Sequence, residues 1–199
     1  KAQAVLLAWM PGTEGARALV DVLSGRYSPS GKLPMSFPYC VGQVPVHYNE
    51  YPTGRPHVPG KDKDRSRSKY LDIPNSPLYL FGFGLTYTSF SVSPVVLDRD
   101  HMTKDEILTA SVTVRNTGSV EGTETVQLYI RDVAASVVRP VKELKGFCKV
   151  TLQPDEQQNV RFFITEKELR FLTENGRWES EPGAFEVFIG TSSLADAPA

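Results

Sequence analysis

With 199 residues, 22 Lys and Arg against 23 Asp and Glu, and 40% hydrophobic side chains, the chain can fill an ordinary core and carries no net field toward nucleic acid or anionic membrane. No apolar run approaches the roughly 20 residues that cross a bilayer, so neither a membrane nor a nucleic acid is expected as partner. Cys40 and Cys148 lack a CxxC spacing and a neighbouring histidine, which predicts two free thiols rather than a disulfide framework or a metal set; no cofactor is expected.

In chain order, the apolar run AVLLAW, residues 4 to 9, precedes Pro11 and Gly12 and has the form of a strand buried on both faces. A helix is expected next. Thr13 is placed to cap it, Glu14 suits its positive end, and Ala16, Leu19, Val20 and Leu23 share one face before Gly25 ends it. Strand, turn and helix make half of a βαβ unit, which cannot bury its own faces, so the start reads as the inside of a domain. The following stretch to residue 87 is thick with Pro and Gly, without helical period, and reads as a functional loop or a crossing between domains.

From residue 88 the texture changes to period two. Leu108, Ala110, Val112 and Val114 share one face; Val126, Leu128 and Ile130, then Val160, Phe162 and Ile164, then Phe185, Val187 and Ile189 repeat the pattern. Turns are expected at NTG, 116–118, at QPDE, 153–156, and at ENGR, 174–177. About seven strands result, near 88–97, 107–115, 123–131, 141–152, 158–164, 169–173 with 177–180, and 184–190. That count suggests an immunoglobulin or fibronectin type III sandwich without the spaced cysteine pair of an antibody domain.

Chemical motifs are sparse. The glycines of PGTEG lack the GKS, GKT or GxGxxG context of a phosphate loop. His47, His57 and His101 are isolated in loop-like sequence, and no GxSxG elbow accompanies them. The run KDKDRSRSK, 61–69, reads as a solvated loop, and Glu14 as a helix-end charge. In RPVKELKGFCKVTLQPDE, 139–156, Arg139, Lys142, Lys145 and Phe147 read as an ordinary strand pair, with Gly146 a candidate bulge.

The segments AWMPGTEGARALVDVLSGRYSPSGKLPMSFP, GQVPVHYNEYPTGRP, SKYLDIPNSPLYLFGFGLTYTSF, RPVKELKGF and EPGAFEVFIGTSS, in this order, resemble family 3 glycoside hydrolases, particularly bacterial β-glucosidases. The resemblance implies a mainly β fold: residues 1–54 as the C-terminal end of an α/β sandwich domain, 55–87 as the interdomain crossing, and 88–199 as a fibronectin type III-like domain. It implies retaining hydrolysis of terminal β-linked glucose, using an aspartate nucleophile on a barrel and a glutamate acid/base in the sandwich domain. Neither motif falls in this sequence, so no catalytic residue is assigned and this chain alone is expected to be inactive. The implied partners are the barrel and sandwich domain of the same enzyme, a β-glucoside or oligosaccharide substrate, and a second copy of the chain. A periplasmic or secreted location follows from family habit.

Within that resemblance Tyr51, Arg55, Tyr70 and Asp72, together with Tyr48, are the residues of suitable type to touch a saccharide: rings stack on sugar faces, and charged groups bond hydroxyls. The competing expectation is structural, with Arg55 and Asp72 pinning the crossing. A second function class is a carbohydrate- or protein-binding sandwich module. Its aromatic platform would come from Trp178 or Tyr129, although Trp178, beside a hairpin, is expected to pack on the sandwich.

Overall fold

The computed structural model describes residues 2–58 and 64–195. The first three residues of the 61–69 run and the last four of the chain therefore lie outside the described residues.

The apolar segment 4–9 does not form a strand: Val5 is 78% and Trp9 59% exposed, and no described segment pairs with it. A strand needs a ladder partner for its N–H and C=O groups, and apolar periodicity alone does not supply one. The expected helix does form, as α1, Gly15–Leu23. Its cap differs from expectation, because Glu14 occupies the N-cap position and neither its side chain nor that of Thr13 bonds the helix end. The helix starts instead from a tight turn, Gly15 N–H to Gly12 C=O at 3.2 Å, in which Gly15 packs on Pro11 too closely for a Cβ. Gly25, at φ +76°, closes the other end, donating to Val22 C=O at 3.0 Å.

The alternating segments build the expected sandwich. In one sheet β3 (Leu108–Asn116) is central, with β1 (Phe90–Val92) and β2 (Val96–Leu97) along one edge and β6 (Gln157–Ile164) along the other. In the second sheet β4 (Gly122–Asp132) lies between β5 (Glu143–Leu152) and β9 (Phe185–Gly190). All pairings are antiparallel. The faces read from the sequence meet in one core of Leu108, Ala110, Val112, Val114, Val126, Leu128, Ile130, Val160, Phe162, Ile164, Val187 and Ile189, joined by Val150 and Leu152. Each Val, Leu, Ile or Phe among them contributes about 1.5–3 kcal/mol on burial.

Two local details differ, a break in the first strand and a short helix, while the ENGR hairpin and the Gly146 bulge form as expected. The 88–97 strand breaks at Ser93–Pro94, where proline has no N–H to give the ladder. The 169–180 region is a short hairpin, β7 (Phe171–Leu172) and β8 (Trp178–Glu179), closed by Thr173 N–H to Arg177 C=O at 2.9 Å with Gly176 left-handed. Before it stands a helix no periodicity announced, α2 (Glu166–Leu169), held by a capping box between Thr165 and Glu168. The bulge near Gly146 is present: Leu128 faces Gly146 and Tyr129 faces Leu144, so Lys145 is the extra residue. Both cysteines are free.

β4 is buried on both faces from Glu124 to Ile130. The cover on its outer face is the Pro/Gly-rich stretch, which folds back on itself: Leu33 N–H bonds Phe83 C=O at 2.8 Å, Gly82 N–H bonds Leu33 C=O at 2.8 Å, and Phe37 and Tyr79 exchange bonds of 2.8 and 3.2 Å. Against β4 this layer sets Lys32 on Glu124 (2.7 Å), Gly82 on the Gln127 amide, and Tyr48 stacked on Phe81 at 4.2 Å and edge-on to Tyr129 at 5.8 Å. Tyr129 is thus wholly buried and offers no sugar platform. Its hydroxyl donates to Gln127 Oε1, and burial pushes its acidity far out of the usual range. Trp178, expected to pack, is instead 67% exposed beside its cross-strand neighbour Leu172.

Candidate saccharide cleft

Two loop segments border an open cleft. Residues 55–57 and 64–70 are joined by a bridge between Pro56 and Ser68, by Ser68 N–H to Arg55 C=O at 2.9 Å, and by Arg67 Nη1 to Pro56 C=O at 3.0 Å. Asp64 organises the second segment, accepting from Ser66 N–H at 3.0 Å, Ser66 Oγ at 2.6 Å and Arg67 Nε at 3.0 Å. The Ser66 hydroxyl and amide, then Arg67, hold its carboxyl below the ordinary range.

The chain then turns through 70–76, closed by Tyr70 N–H to Asn75 Oδ1 at 2.8 Å. Behind the turn, Gln43 is 1% exposed. Its Nε2 donates to Pro74 C=O at 3.0 Å and Ser76 C=O at 3.1 Å, while Oε1 accepts Tyr39 N–H at 2.8 Å. The result is an open cleft of about 980 Å³ lined by His57, Arg65, Lys69, Tyr70, Asp72 and the backbone turn through Ser76.

Of the saccharide candidates, Tyr70 and Asp72 line this cleft together. Arg55 enters through its backbone only; its side chain is exposed and, among the described residues, unpartnered, and the same holds for Asp72. Neither side chain pins residues 55–87; the bonds that do come from Gln43, Asp64, Arg67 and Lys32. Tyr51 is 63% exposed and is not part of the lining. Tyr48 belongs to the interior, where its hydroxyl oxygen accepts Leu144 N–H at 3.1 Å, which removes it as a sugar contact. Sequence reasoning passed over Arg65 and Lys69 as a solvated run, and over Gln43, for which no motif or period gives a signal.

The lining suits recognition: a phenol ring for a sugar face, one carboxylate to accept from hydroxyls, and cationic donors. Among the described residues its lining holds one carboxylate, Asp72, whereas retaining glycoside hydrolysis needs two about 5 Å apart. Among the described residues no group of three His, Cys, Asp or Glu side chains gathers as a metal site. A smaller cavity of about 330 Å³ lies between Pro52 and residues 131–141. Beside it Arg139 is held by Glu143 at 2.5 Å and lies 4.4 Å over the Phe171 ring; Asp132, 3.8 Å from Arg139, is shifted upward by burial against the pull of that guanidinium. Lys142 sits over the Tyr129 and Phe188 rings and donates to Ala195 C=O at 3.0 Å, so the 139–145 cations serve the sandwich itself.

Comparison with known proteins matches two stretches of the chain. Residues 1–87 match the glycosyl hydrolase family 3 C-terminal domain, and residues 124–193 the fibronectin type III-like domain. The chain is 51% identical over 97% of its length to a periplasmic β-glucosidase of Salmonella typhimurium, and 41% identical over 95% to a β-glucosidase of Bacteroides ovatus. It spans about a quarter of the length of these relatives, 25% and 26% respectively. A crystal structure of a β-glucosidase from Listeria innocua in complex with glucose superposes with a TM-score of 0.88 at 45% identity, covering 94% of this chain and 26% of that one. The two matched regions, in their order and over this fold, place the chain in glycosyl hydrolase family 3, whose C-terminal and fibronectin type III-like domain sequences it carries.

Proposed function

We propose that the chain is the C-terminal portion of a retaining β-glucosidase-like hydrolase, in which 1–54 complete the α/β sandwich domain, 55–87 form the crossing and 88–199 brace it. The observation that carries this reading is the continuous likeness, in sequence and in fold, to β-glucosidases over 94% of the chain. The exposed apolar run Val5, Leu6, Leu7 and Trp9, and the exposed Val20 and Leu23 of α1, support it as surface on which the rest of that domain packs. Both catalytic carboxyls come from elsewhere in the enzyme, and the barrel and sandwich domain are the partners. Tyr70 and Asp72 contact the substrate from one cleft wall; Arg55 and Tyr51 are outer contacts. A second copy of the chain is a further partner, and the periplasm or exterior is the location. Among the described residues no helix is long and apolar enough to span a membrane.

The test is an aryl β-glucoside assay on this chain alone, on this chain mixed with a separately made barrel-containing piece, and on the joined protein, with an aryl β-xyloside in parallel. Activity confined to the joined or mixed samples and to the glucoside bears the proposal out; activity of this chain alone, or none in an intact and folded joined protein, refutes it. In the joined protein, Tyr70→Ala and Asp72→Asn raise KM.

A second reading, a carbohydrate-binding sandwich, has one observation in its favour: the exposure of Trp178 and Leu172 on one face of the β7–β8 hairpin. Tryptophan fluorescence that stays unchanged up to millimolar cello-oligosaccharide removes it.

A further inference from the structure

We propose that Gln43 is a positioning residue for the saccharide cleft, holding the 70–76 turn in the geometry in which Tyr70 and Asp72 meet the sugar. The proposal rests on the reading of that cleft as a substrate wall.

The side chain is almost wholly enclosed, at 1% exposure, yet it is polar and makes no bond to any other side chain. All three of its hydrogen bonds go to backbone. Two of them, 3.0 and 3.1 Å, end on Pro74 and Ser76, the distal limb of the turn. The third, 2.8 Å from Tyr39 N–H, anchors the amide to the short 3-10 turn Val41–Gln43 and its flank. The turn has little else to hold it. Leu71 is 94% exposed and Tyr70 40%, Ile73 is half-buried, and the other closing hydrogen bond among the described residues is Tyr70–Asn75 within the turn itself. A loop with a single partly buried apolar side chain, here Ile73, takes much of its geometry from whatever bonds its backbone. Here that is one amide, able to give two protons to two carbonyls while accepting one, which is the full set of bonds Gln43 makes.

Loss of this amide frees the turn without touching the reacting atoms. The expected signature is therefore a rise in KM with kcat nearly kept, the pattern of lost ground-state and transition-state binding in equal measure. The experiment uses the joined, barrel-containing protein with an aryl β-glucoside. Gln43→Met keeps length and removes the bonds; Gln43→Glu keeps the acceptor and turns a carboxylate toward two carbonyls. Burial among acceptors raises the pKa of that introduced Glu, and its protonated form restores one donor. Relative to the parent at each pH, the KM of Gln43→Glu falls back as pH is lowered, while that of Gln43→Met does not.

The expected result is a KM increase of roughly three- to tenfold for Gln43→Met with kcat within about twofold, and faster amide hydrogen exchange in 69–76. A Gln43→Met enzyme that loses thermal stability while keeping KM, when Tyr70→Ala does raise it, overturns the positioning role and leaves the cleft reading intact. If Tyr70→Ala and Asp72→Asn both leave KM unchanged, the cleft is not a substrate wall and the role of Gln43 falls with it. Should Gln43→Met fail to fold, the pH-dependent recovery of Gln43→Glu decides, and a flat KM ratio counts against the proposal.

Discussion

Lys32→Met is expected to destabilise the chain by about 3 kcal/mol, although Lys32 lies far from the sandwich core in sequence. Its Nζ sits 2.7 Å from Glu124 Oε1, and the two side chains are only 13% and 7% exposed. At that separation and an effective dielectric of about 20, the attraction is about 6 kcal/mol, much of which offsets the desolvation of both groups. Removing the lysine leaves the Glu124 carboxylate enclosed with the Thr125 N–H at 2.7 Å as its remaining donor. The cost of an uncompensated buried charge, about 3–5 kcal/mol, is taken at its lower end because Lys32 is not fully enclosed. Replacing both partners, Lys32→Met with Glu124→Leu, removes the orphan charge and returns stability to within about 1 kcal/mol of the parent. Urea unfolding of the four proteins of this cycle measures both quantities, and a loss of about 3 kcal/mol lowers Tm by roughly 6–12 °C in a chain of this size. A single-variant loss below about 1 kcal/mol, or a double variant no better than Lys32→Met, refutes the reasoning. Such a result means that residues 28–87 are a linker draped over β4, not a layer of the same folding unit.

Gly82→Ala is expected to cost about 2–4 kcal/mol, because a Cβ at φ +78° is strained and also meets the Gln127 amide; a Tm within 2 °C of the parent counts against it. Asn116→Ala should cost about 2–4 kcal/mol in urea unfolding, since its amide donates to Val120 C=O at 2.8 Å and Leu152 C=O at 3.0 Å and accepts from Thr88 Oγ1 at 2.6 Å and Gly118 N–H at 3.0 Å. A cost below about 1 kcal/mol shows that water replaces these bonds. Asp132, raised by burial above the ordinary 3.8, binds its proton more tightly folded than unfolded, so its contribution is fully present below that value and is lost as pH rises through the folded pKa. Asp132→Asn lacks this titration, and its stability relative to the parent should therefore improve between about pH 3.5 and pH 7; urea midpoints that differ equally at both pH values contradict the assignment.

The sandwich was legible because each strand's inward face is a run of Val, Ile, Leu and Phe at period two, and a sheet with one wet face leaves that signature in the sequence. The exception is β4. Its second face carries Thr125, Gln127 and Tyr129, polar-tipped types that alternate as a solvated face would, yet all three are buried. What covers them comes from residues 31–48 and 79–87, whose irregular backbone has no period to read, so the burial could not be foreseen from the strand alone. The same gap exchanged the fates of two aromatics: Tyr129, under the cover, is enclosed, and Trp178, on a two-stranded hairpin with nothing laid over it, is open. The apolar 4–9 run misled in the opposite direction, since hydrophobicity states that a segment is to be buried but not by what. α2 was missed because four residues hold no periodicity, although the capping-box spacing of Thr165 and Glu168 was there to be read. Tyr70 and Asp72, which line the cleft, are singled out by residue type alone, whereas Gln43 bonds backbone carbonyls that no residue-type argument can see.

The double burial of β4 also bears on how the sandwich can matter to the cleft proposed as a substrate wall. From Gln127 the contact passes to Gly82, whose N–H bonds Leu33 C=O at 2.8 Å. The 79–83 strip, held to 33–37 by four backbone bonds and to the sandwich by Ser193 N–H on Phe81 C=O at 3.0 Å, runs directly back into Ser76 and Pro74. There Gln43 takes over and fixes the turn that carries Tyr70 and Asp72. Apart from the two residues Pro77 and Leu78, each link is a backbone bond or a buried amide, which ties the position of the turn to the sheet. A rigid sheet, a hydrogen-bonded second layer and a short exposed turn are the parts needed to hold ligand-contacting loops on a scaffold. On this geometry the sandwich serves the site as its foundation, and changes at Gln127 or Gly82 should reach the cleft through the 74–87 strip.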